Sequence, residues 1–382
     1  MFDRREEPAA SSPRKPKKVT MKQTGSSKTA CARVTPLVLA MASFLFPTAG
    51  RAAELKVSEK ASAPLQQKAS DLLCGFSRSV AYSGFRHGQH PDRGDGPVFP
   101  SEENILEDLK LLVRQGNFGL IRLYDSGKNS EDVLRIIRSQ KLPMKVLLGA
   151  WLAAEVANPN CPWLKDQLSQ KVLDANRAKN QKDIENAIRL ANEYPEVVVA
   201  VNVGNEALVK WTDHLVPVDA VIAHVRKVKQ AIKQPVTVAE NYDWWAHEGV
   251  ALAKELDFIS VHTYPAWESK DIGEGLSYTM ANLQAVRNAL PGSRMVITEA
   301  GWATVAREFG PRASEEKQQR YYNELYQWTA RMNITTFFFE AFDEDWKGDA
   351  NDPLGAEKHW GLFTLERKPK LAMQKLDPNL AR

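Results

Sequence analysis

Cysteine is scarce in this sequence, with three residues in 382. One of them lies in a basic N-terminal segment, so the rest of the chain holds only Cys74 and Cys161. No pair has the C-x-x-C spacing that would indicate a metal or redox centre. In an oxidising compartment Cys74 and Cys161 could form a disulfide, and two separate buried thiols are the alternative. The sequence alone leaves that pairing open.

A long hydrophobic run is also missing. Residues 34–46, VTPLVLAMASFLF, give about 13 mostly apolar positions, whereas a membrane-spanning helix needs roughly 20. The positive stretch KQTGSSKTACAR precedes this run and the small residues PTAGRAA follow it, which is the layout of a secretory signal peptide cleaved near Ala52. The polar stretch before Met21 is unusual for a signal, so Met21 is the expected true start. We predict a secreted or periplasmic protein without a stable membrane span; an uncleaved anchor through residues 34–46 is the rival.

Little net charge remains outside this segment. Residues 1–52 carry ten Lys/Arg and three Asp/Glu, a net of +7. Because the whole chain has a formal net charge of +4, the remainder has about −3. A nucleic-acid partner is therefore not predicted. Residues 53–70 are polar and predict a linker, which leaves residues 71–382 as a single domain.

Within residues 71–382, short apolar runs alternate with longer amphipathic patterns. The candidate strands are 72–77, 118–124, 144–151, 197–204, 235–240, 257–264, 294–300 and 335–342. A helical pattern opens at Ser101 with two glutamates behind it, close to a capping box. Eight strands alternating with helices predict an α/β fold, a single (β/α)8 TIM barrel. An open doubly wound sheet usually carries G-x-G-x-x-G after its first strand, a motif that this sequence lacks.

Functional side chains of such a barrel lie at the C-terminal ends of its strands. Here those ends collect carboxylates and aromatic rings, although any one of them alone is more often a satisfied polar group. Carboxylates beside flat rings indicate sugar chemistry. One carboxylic acid protonates the leaving oxygen, while a second carboxylate attacks the anomeric carbon or activates water. Glu206 and Glu299, which end the fourth and seventh strands, are the best pair.

Six segments carry a resemblance to a known family. They are FGLIRLYDS, VNVGNEALVKW, VHTYPAWE, VITEAGWAT, FFFEAFDEDWK and HWGLF, and they span about residues 72–370. In this order they resemble glycoside hydrolase family 17, the β-1,3-glucanases and their bacterial transferase relatives. VGNE alone is a weak signal, but VGNE followed by TEAGW and then EAFDEDWK is a strong one. Ala303 stands where the family usually has proline, which affects the expected shape of that loop.

The resemblance implies roles for particular residues. Glu206 would be the general acid/base and Glu299 the nucleophile of a retaining enzyme, with their carboxyl groups about 5–5.5 Å apart. Asn205 would hold the sugar 2-hydroxyl, and Tyr264 would hydrogen-bond the nucleophile. The further substrate-binding candidates are Arg122, Tyr124, Glu240, Trp302, Glu340, Trp346 and Lys347, with Trp360 as another stacking ring.

Several alternatives stay open at this point. Hydrolysis and transglycosylation share one glycosyl-enzyme intermediate, so a β-glucan or β-gluco-oligosaccharide substrate fits both. A glucan-binding barrel without activity is less consistent with the presence of both Glu206 and Glu299. His87 and His90 lie three residues apart, but no third ligand follows in pattern, so no metal site is predicted. The proposed chemistry requires no cofactor.

Overall fold

The computed structural model describes residues 63–93, 96–162, 164 and 166–374. In this part of the chain, eight parallel strands close into one barrel in sequence order, which confirms the predicted fold. The strands are β1, Arg78–Ala81; β2, Leu120–Arg122; β3, Lys145–Ala150; β4, Val198–Asn205; β5, Val236–Asn241; β6, Ile259–Thr263; β7, Met295–Gly301; and β8, Thr336–Phe339.

The helices complete the βα units. They are α1, Glu102–Arg114; α2, Lys128–Ser139; α3, Gln170–Glu193; α4, Val218–Ala231; α5, Tyr242–His247; α6, Val250–Ala253; α7, Ile272–Ala289; α8, Glu315–Met332; and α9, Leu371–Gln374. The predicted start of α1 is confirmed, because the Ser101 side chain accepts a hydrogen bond from the amide of Asn104.

The predicted signal peptide, residues 1–52, and most of the predicted linker, residues 53–70, lie outside the described residues. Among the residues that are described, no helix combines the length and the apolar character that a membrane crossing requires.

The predicted first strand, 72–77, is wrong, because β1 begins only at Arg78. Cys74 and Gly75 have φ angles of +50° and +79°, which a strand cannot accommodate. The apolar residues of this segment instead contribute to the core, because Leu73 is buried in a small cluster at the beginning of the strands. Cys74 is exposed and Cys161 is buried, and both thiols are free.

The barrel interior has an apolar layer and a polar layer. The apolar layer consists of Leu73, Leu120, Leu147, Ala200, Phe258, Val296 and Phe337. Side chains of a strand alternate between its two faces, so Arg122 shares a face with Leu120, and His262 shares one with Phe258. Both polar residues are completely buried. The strands therefore begin at the apolar layer and end at a cluster of polar side chains.

The strand pairing shifts register close to this polar end. Shifts occur between Asn202 and Asn205, and between Val261 and His262. Such irregularities turn the following side chains relative to the regular alternation. They stand immediately before the residues that the sequence predicts to be functional.

Candidate active site

The strands β2, β4, β6 and β7 bring five polar residues to one end of the barrel. Arg122 and Asn205 are the last residues of β2 and β4, and Glu206 follows Asn205 directly. His262 on β6 is the register partner of Glu299 on β7. Residues from distant parts of the sequence thus form one connected hydrogen-bond network.

The Glu299 carboxylate is held by three donors. Its Oε1 accepts from Arg122 Nη1 at 2.7 Å and from the Tyr124 hydroxyl at 3.0 Å, and its Oε2 accepts from the Tyr264 hydroxyl at 2.5 Å. Burial would raise the pKa of Glu299, but the positive charge of Arg122 and the hydrogen bonds from the two phenols outweigh burial and hold that pKa below its ordinary value. Glu299 is therefore an ionised carboxylate at neutral pH.

The two phenols remain hydroxyl donors. Burial, followed by the negative charge of Glu299, raises the pKa of both Tyr124 and Tyr264 well above the ordinary value. The Arg122 guanidinium lies 4.5 Å from the centre of the Tyr124 ring, and Phe339 packs edge-on against Tyr264. Tyr264 thus contacts Glu299 as the resemblance implies, and Arg122 and Tyr124, which were predicted as substrate contacts, bind the same carboxylate.

Glu206 has a different environment. Its Oε1 lies 2.9 Å from His262 Nδ1, its Oε2 has no hydrogen-bond partner in the described part of the chain, and its side chain is 24% exposed. Glu299 Oε2 lies 3.5 Å from the same nitrogen. The two distances together limit the separation of Glu206 Oε1 and Glu299 Oε2 to at most 6.4 Å. The two predicted catalytic carboxylates therefore face one another.

A tight turn presents Glu206 at the end of β4. Gly204 has φ +83° and Glu206 has φ +47°, a left-handed conformation that is uncommon for a glutamate. The Glu206 amide donates to Ala239 O at 2.9 Å, and His214 Nε2 donates to Asn205 O at 2.7 Å. Backbone strain of this kind persists where surrounding contacts enforce it, and it concentrates at functional sites.

We expect Gly204→Ala to lower kcat by about 100-fold, because a displacement of about 1 Å in a reacting group has that effect. An alanine at φ +83° is strained, and its Cβ would lie 3.1 Å from Leu152 Cδ1, so the turn that carries Glu206 must shift. Gly292→Ala is the matched control, because Gly292 has φ +84° with no atom within 4 Å of the added Cβ. Steady-state kinetics and thermal unfolding of both variants separate the effects; an equal loss of kcat in both would contradict the assignment.

The orientation of the Asn205 amide follows from Arg122. Arg122 Nη2 donates to Asn205 Oδ1 at 2.5 Å, and arginine has no acceptor. The amide oxygen therefore faces Arg122, which leaves the Asn205 NH2 group as a donor for a ligand. This arrangement agrees with the predicted contact to a sugar hydroxyl.

The structure corrects several of the predicted substrate contacts, beginning with Trp302 and Glu240. Trp302 is completely buried, packs on Tyr321 and donates through Nε1 to Arg312 O at 2.8 Å, so it cannot be a stacking surface. Glu240 is also completely buried, and its Oε1 accepts from the Leu208 amide at 2.9 Å. Burial and then repulsion from Glu206 raise the pKa of Glu240 well above its usual range. Glu240 supports the loop behind Glu206.

The predicted residues of the loop after β8 form a network of their own. Lys347 Nζ lies 2.7 Å from both oxygens of Glu340 and 2.8 Å from Glu344 Oε2. The Trp346 indole donates to Glu344 Oε1 at 3.0 Å. Glu340 is 2% exposed, so its carboxylate is occupied by Lys347 and not open to a ligand. Trp360 is likewise buried, with its ring 5.2 Å from that of Tyr264, so it supports Tyr264 from behind.

Two histidines in the network were missed as functional residues from the sequence. His262 was not among the predicted site residues, although the H-x-Y spacing with Tyr264 indicates two side chains on the same strand face. His214 lies between Asn205 O and Asp213 Oδ1 and packs against Trp151, in a loop with no recognisable local pattern. His87 pairs with Asp345. The described residues contain no group of three or more His, Cys, Asp or Glu side chains that could hold a metal ion.

Known proteins resemble this chain in sequence and in fold. The family profile described as the BtgE/BtgC glycoside hydrolase domain matches residues 79–361. The glucan 1,3-beta-glucosidase of Schizosaccharomyces pombe is 29% identical over 187 residues, 45% of this chain and 56% of that protein. The putative glucan endo-1,3-beta-glucosidase btgC of Aspergillus niger is 28% identical over 295 residues, 71% of this chain and 40% of that protein.

Among solved structures, an endo-laminarinase from Formosa Hel1_33_131 is 25% identical, with a TM-score of 0.64 over 80% of this chain and 88% of that one. The chain spans only 40% and 56% of the two curated relatives. The matched range, however, contains the whole hydrogen-bond network from Arg122 to Glu299. The chain belongs to the BtgE/BtgC glycoside hydrolase domain family.

Proposed function

We propose that this protein cleaves β-1,3-glucan with retention of anomeric configuration. The observation that carries the proposal is the Glu206–Glu299 pair, whose facing oxygens are at most 6.4 Å apart. Retaining glycosidases have carboxyl groups about 5–5.5 Å apart, whereas inverting enzymes leave about 6.5–9.5 Å for a water. Because the 6.4 Å limit applies to one pair of oxygens, the choice of retention rests on the resemblance to family 17 and on the contrasting surroundings of the two carboxylates.

The contrasting surroundings of the pair assign the two roles. Glu299, held ionised by its donors, attacks the anomeric carbon as the glycosidic bond breaks. Glu206, partly exposed and with Oε2 unoccupied in the described structure, gives its proton to the leaving oxygen. It then takes a proton from the incoming water, which displaces Glu299. The Asn205 NH2 group is available to bind the sugar 2-hydroxyl.

The substrate class rests on the relatives. The two curated relatives are named a glucan 1,3-beta-glucosidase and a putative glucan endo-1,3-beta-glucosidase, and the solved structure is named an endo-laminarinase. Their names support a β-1,3-linked glucan for this chain. Transfer to a sugar acceptor would use the same two carboxylates. The acceptor, water or a sugar, is therefore identified from the reaction products.

Trp267 provides a sugar-stacking surface at the rim of this site. It is 43% exposed, and its ring packs edge-on against Phe309 and lies 6.5 Å from Trp360, which contacts Tyr264. A fixed, exposed indole suits the apolar face of a pyranose. We expect Trp267→Ala to raise KM for laminaripentaose roughly tenfold with little change in kcat. Trp267→Phe keeps a ring and should retain most of the affinity; a fall in kcat at unchanged KM would contradict this role.

Product analysis tests the proposed function directly. Laminaripentaose is incubated with the enzyme while proton NMR follows the anomeric signals and chromatography sizes the products. We expect the β-anomer to appear first and to mutarotate later. An initial α-anomer would refute the retaining mechanism, and products longer than the substrate would identify a transglycosylase.

We also propose that the chain is exported, on the basis of the charge and hydropathy pattern of residues 22–52. N-terminal sequencing of the protein after expression in a bacterial host tests this proposal. A mature terminus close to residue 53 is expected, and a cell-associated protein with an intact residue 1 would exclude a cleaved signal.

A further inference from the structure

His262 lies between the two catalytic carboxylates. Its ring is completely buried. Nδ1 is 2.9 Å from Glu206 Oε1 and 3.5 Å from Glu299 Oε2, and Nε2 is 3.2 Å from Arg122 Nη1. The proposed roles of Glu206 and Glu299 do not use this imidazole, although it contacts three members of the site.

Arg122 determines which nitrogen of His262 carries the proton. Arg122 Nη1 also lies 2.7 Å from Glu299 Oε1 and 3.1 Å from Thr298 O, and a guanidinium only donates. An N–H on Nε2 would therefore face another donor, so Nε2 is assigned as the ring nitrogen without the proton. The ring proton then resides on Nδ1, where the nearest acceptor is Glu206 Oε1. Since Arg122 is itself fixed by Glu299 and Asn205, this tautomer is built into the buried network.

We propose that His262 is a positioning residue that selects which oxygen of Glu206 carries the transferable proton. This inference rests on the proposed function, in which Glu206 is the general acid/base. An Oε1 that accepts the N–H of His262 acts as the carbonyl oxygen of the acid. The acid proton is thereby confined to Oε2, the oxygen with no partner among the described residues.

The same contact acts after proton transfer. When Glu206 has lost its proton to the leaving oxygen, the Nδ1–H bond becomes a bond to an anion, and such bonds are roughly twice as strong as neutral ones. His262 thus stabilises the carboxylate that forms as the proton moves to the leaving oxygen. It neither touches the substrate nor exchanges protons with it.

Removal of the donor tests this role. His262→Phe keeps a buried ring without an N–H, and His262→Gln places its amide near Nε2, beside Arg122, with no donor at the position of Nδ1. His262→Asn is the conservative variant, because its amide nitrogen lies close to the position of Nδ1. Circular dichroism and thermal unfolding show which variants fold, and either Phe or Gln is sufficient for the comparison.

The readout is kcat/KM for two substrates with different leaving groups. Laminaripentaose needs protonation of its leaving oxygen, whereas a 2,4-dinitrophenyl β-laminaribioside releases a stable phenolate without it. We expect His262→Phe and His262→Gln to lower kcat/KM about 100-fold for laminaripentaose, in the range of lost general acid catalysis, with little change for the aryl glycoside. His262→Asn should restore most of the loss. An equal fall for both substrates would mean a merely structural residue and would overturn the proposal.

Glu206→Ala distinguishes failure of the proposed function from failure of the role given to His262. If it shows the same dependence on the leaving group while the His262 variants do not, the proposed function stands and only the role of His262 is refuted. If Glu206→Ala lacks that dependence, the assignment of Glu206 as acid/base fails, and the inference about His262 fails with it.

Discussion

Glu299→Ala should reduce turnover of laminaripentaose by at least about 10⁴-fold, because loss of a nucleophile removes the covalent route altogether. The carboxylate accepts hydrogen bonds from Arg122, Tyr124 and Tyr264, which hold it in one orientation beside Glu206. Such preorganisation cannot be supplied by a free water molecule in the vacated space. Initial rates of reducing-sugar release measure the effect.

Two companion variants make this result specific. Glu299→Gln is nearly isosteric and should be as inactive as Glu299→Ala, since an amide cannot displace the leaving group. Glu185→Ala, on the exposed surface of α3, removes a carboxylate of the same kind and should leave kcat and stability nearly unchanged. If Glu299→Gln kept more than about one hundredth of wild-type activity, the assignment of the nucleophile would be wrong.

The sequence predicts Glu206, Glu299 and the barrel because these features follow from local pattern. Runs of β-branched residues separated by stretches with helical periodicity predict alternating β-strands and α-helices, and eight parallel strands are the number that closes into a barrel. Strand ends then converge at one face. The contact of Tyr264 with Glu299 followed from the family resemblance, whereas the contacts of Arg122 and Tyr124 with Glu299 are seen only in the structure.

Side-chain direction and burial could not be read from the same patterns. Trp302 follows β7 just as Tyr264 follows β6, yet Trp302 packs into the helical layer and Tyr264 faces Glu299. Regular alternation would turn Trp302, three residues beyond Glu299, to the outer face, but the register shifts beside Asn205 and His262 interrupt this alternation, and a single sequence gives no signal for such shifts. The first strand is wrongly predicted for a related reason. A short apolar segment such as the one containing Leu73 can form a strand or can close the apolar layer of the barrel interior without being a strand.

Arg122→Met should destabilise the protein by about 3–5 kcal/mol, because it leaves the Glu299 carboxylate buried without its charged partner. Arg78→Met is a matched control. Arg78 is also a buried arginine of the barrel, but it donates to the Tyr322 hydroxyl and to Gly116 O and Asn117 O, with no carboxylate partner among the described residues. Both variants should lose stability in urea unfolding, since each leaves buried acceptors without a donor.

The pH dependence distinguishes the two arginines. The pKa of Glu299 in the folded protein lies below its ordinary value, so its contacts stabilise the fold at neutral pH, and this stabilisation is lost as pH falls through the folded pKa. Without the guanidinium, burial raises the pKa of Glu299 with less opposition, and the nucleophile is protonated at a higher pH. The acidic limb of the kcat/KM profile should therefore move to higher pH in Arg122→Met and stay in place in Arg78→Met. Unchanged acidic limbs in both variants would show that Arg122 does not keep Glu299 ionised, leaving that role to the hydrogen bonds from Tyr124 and Tyr264.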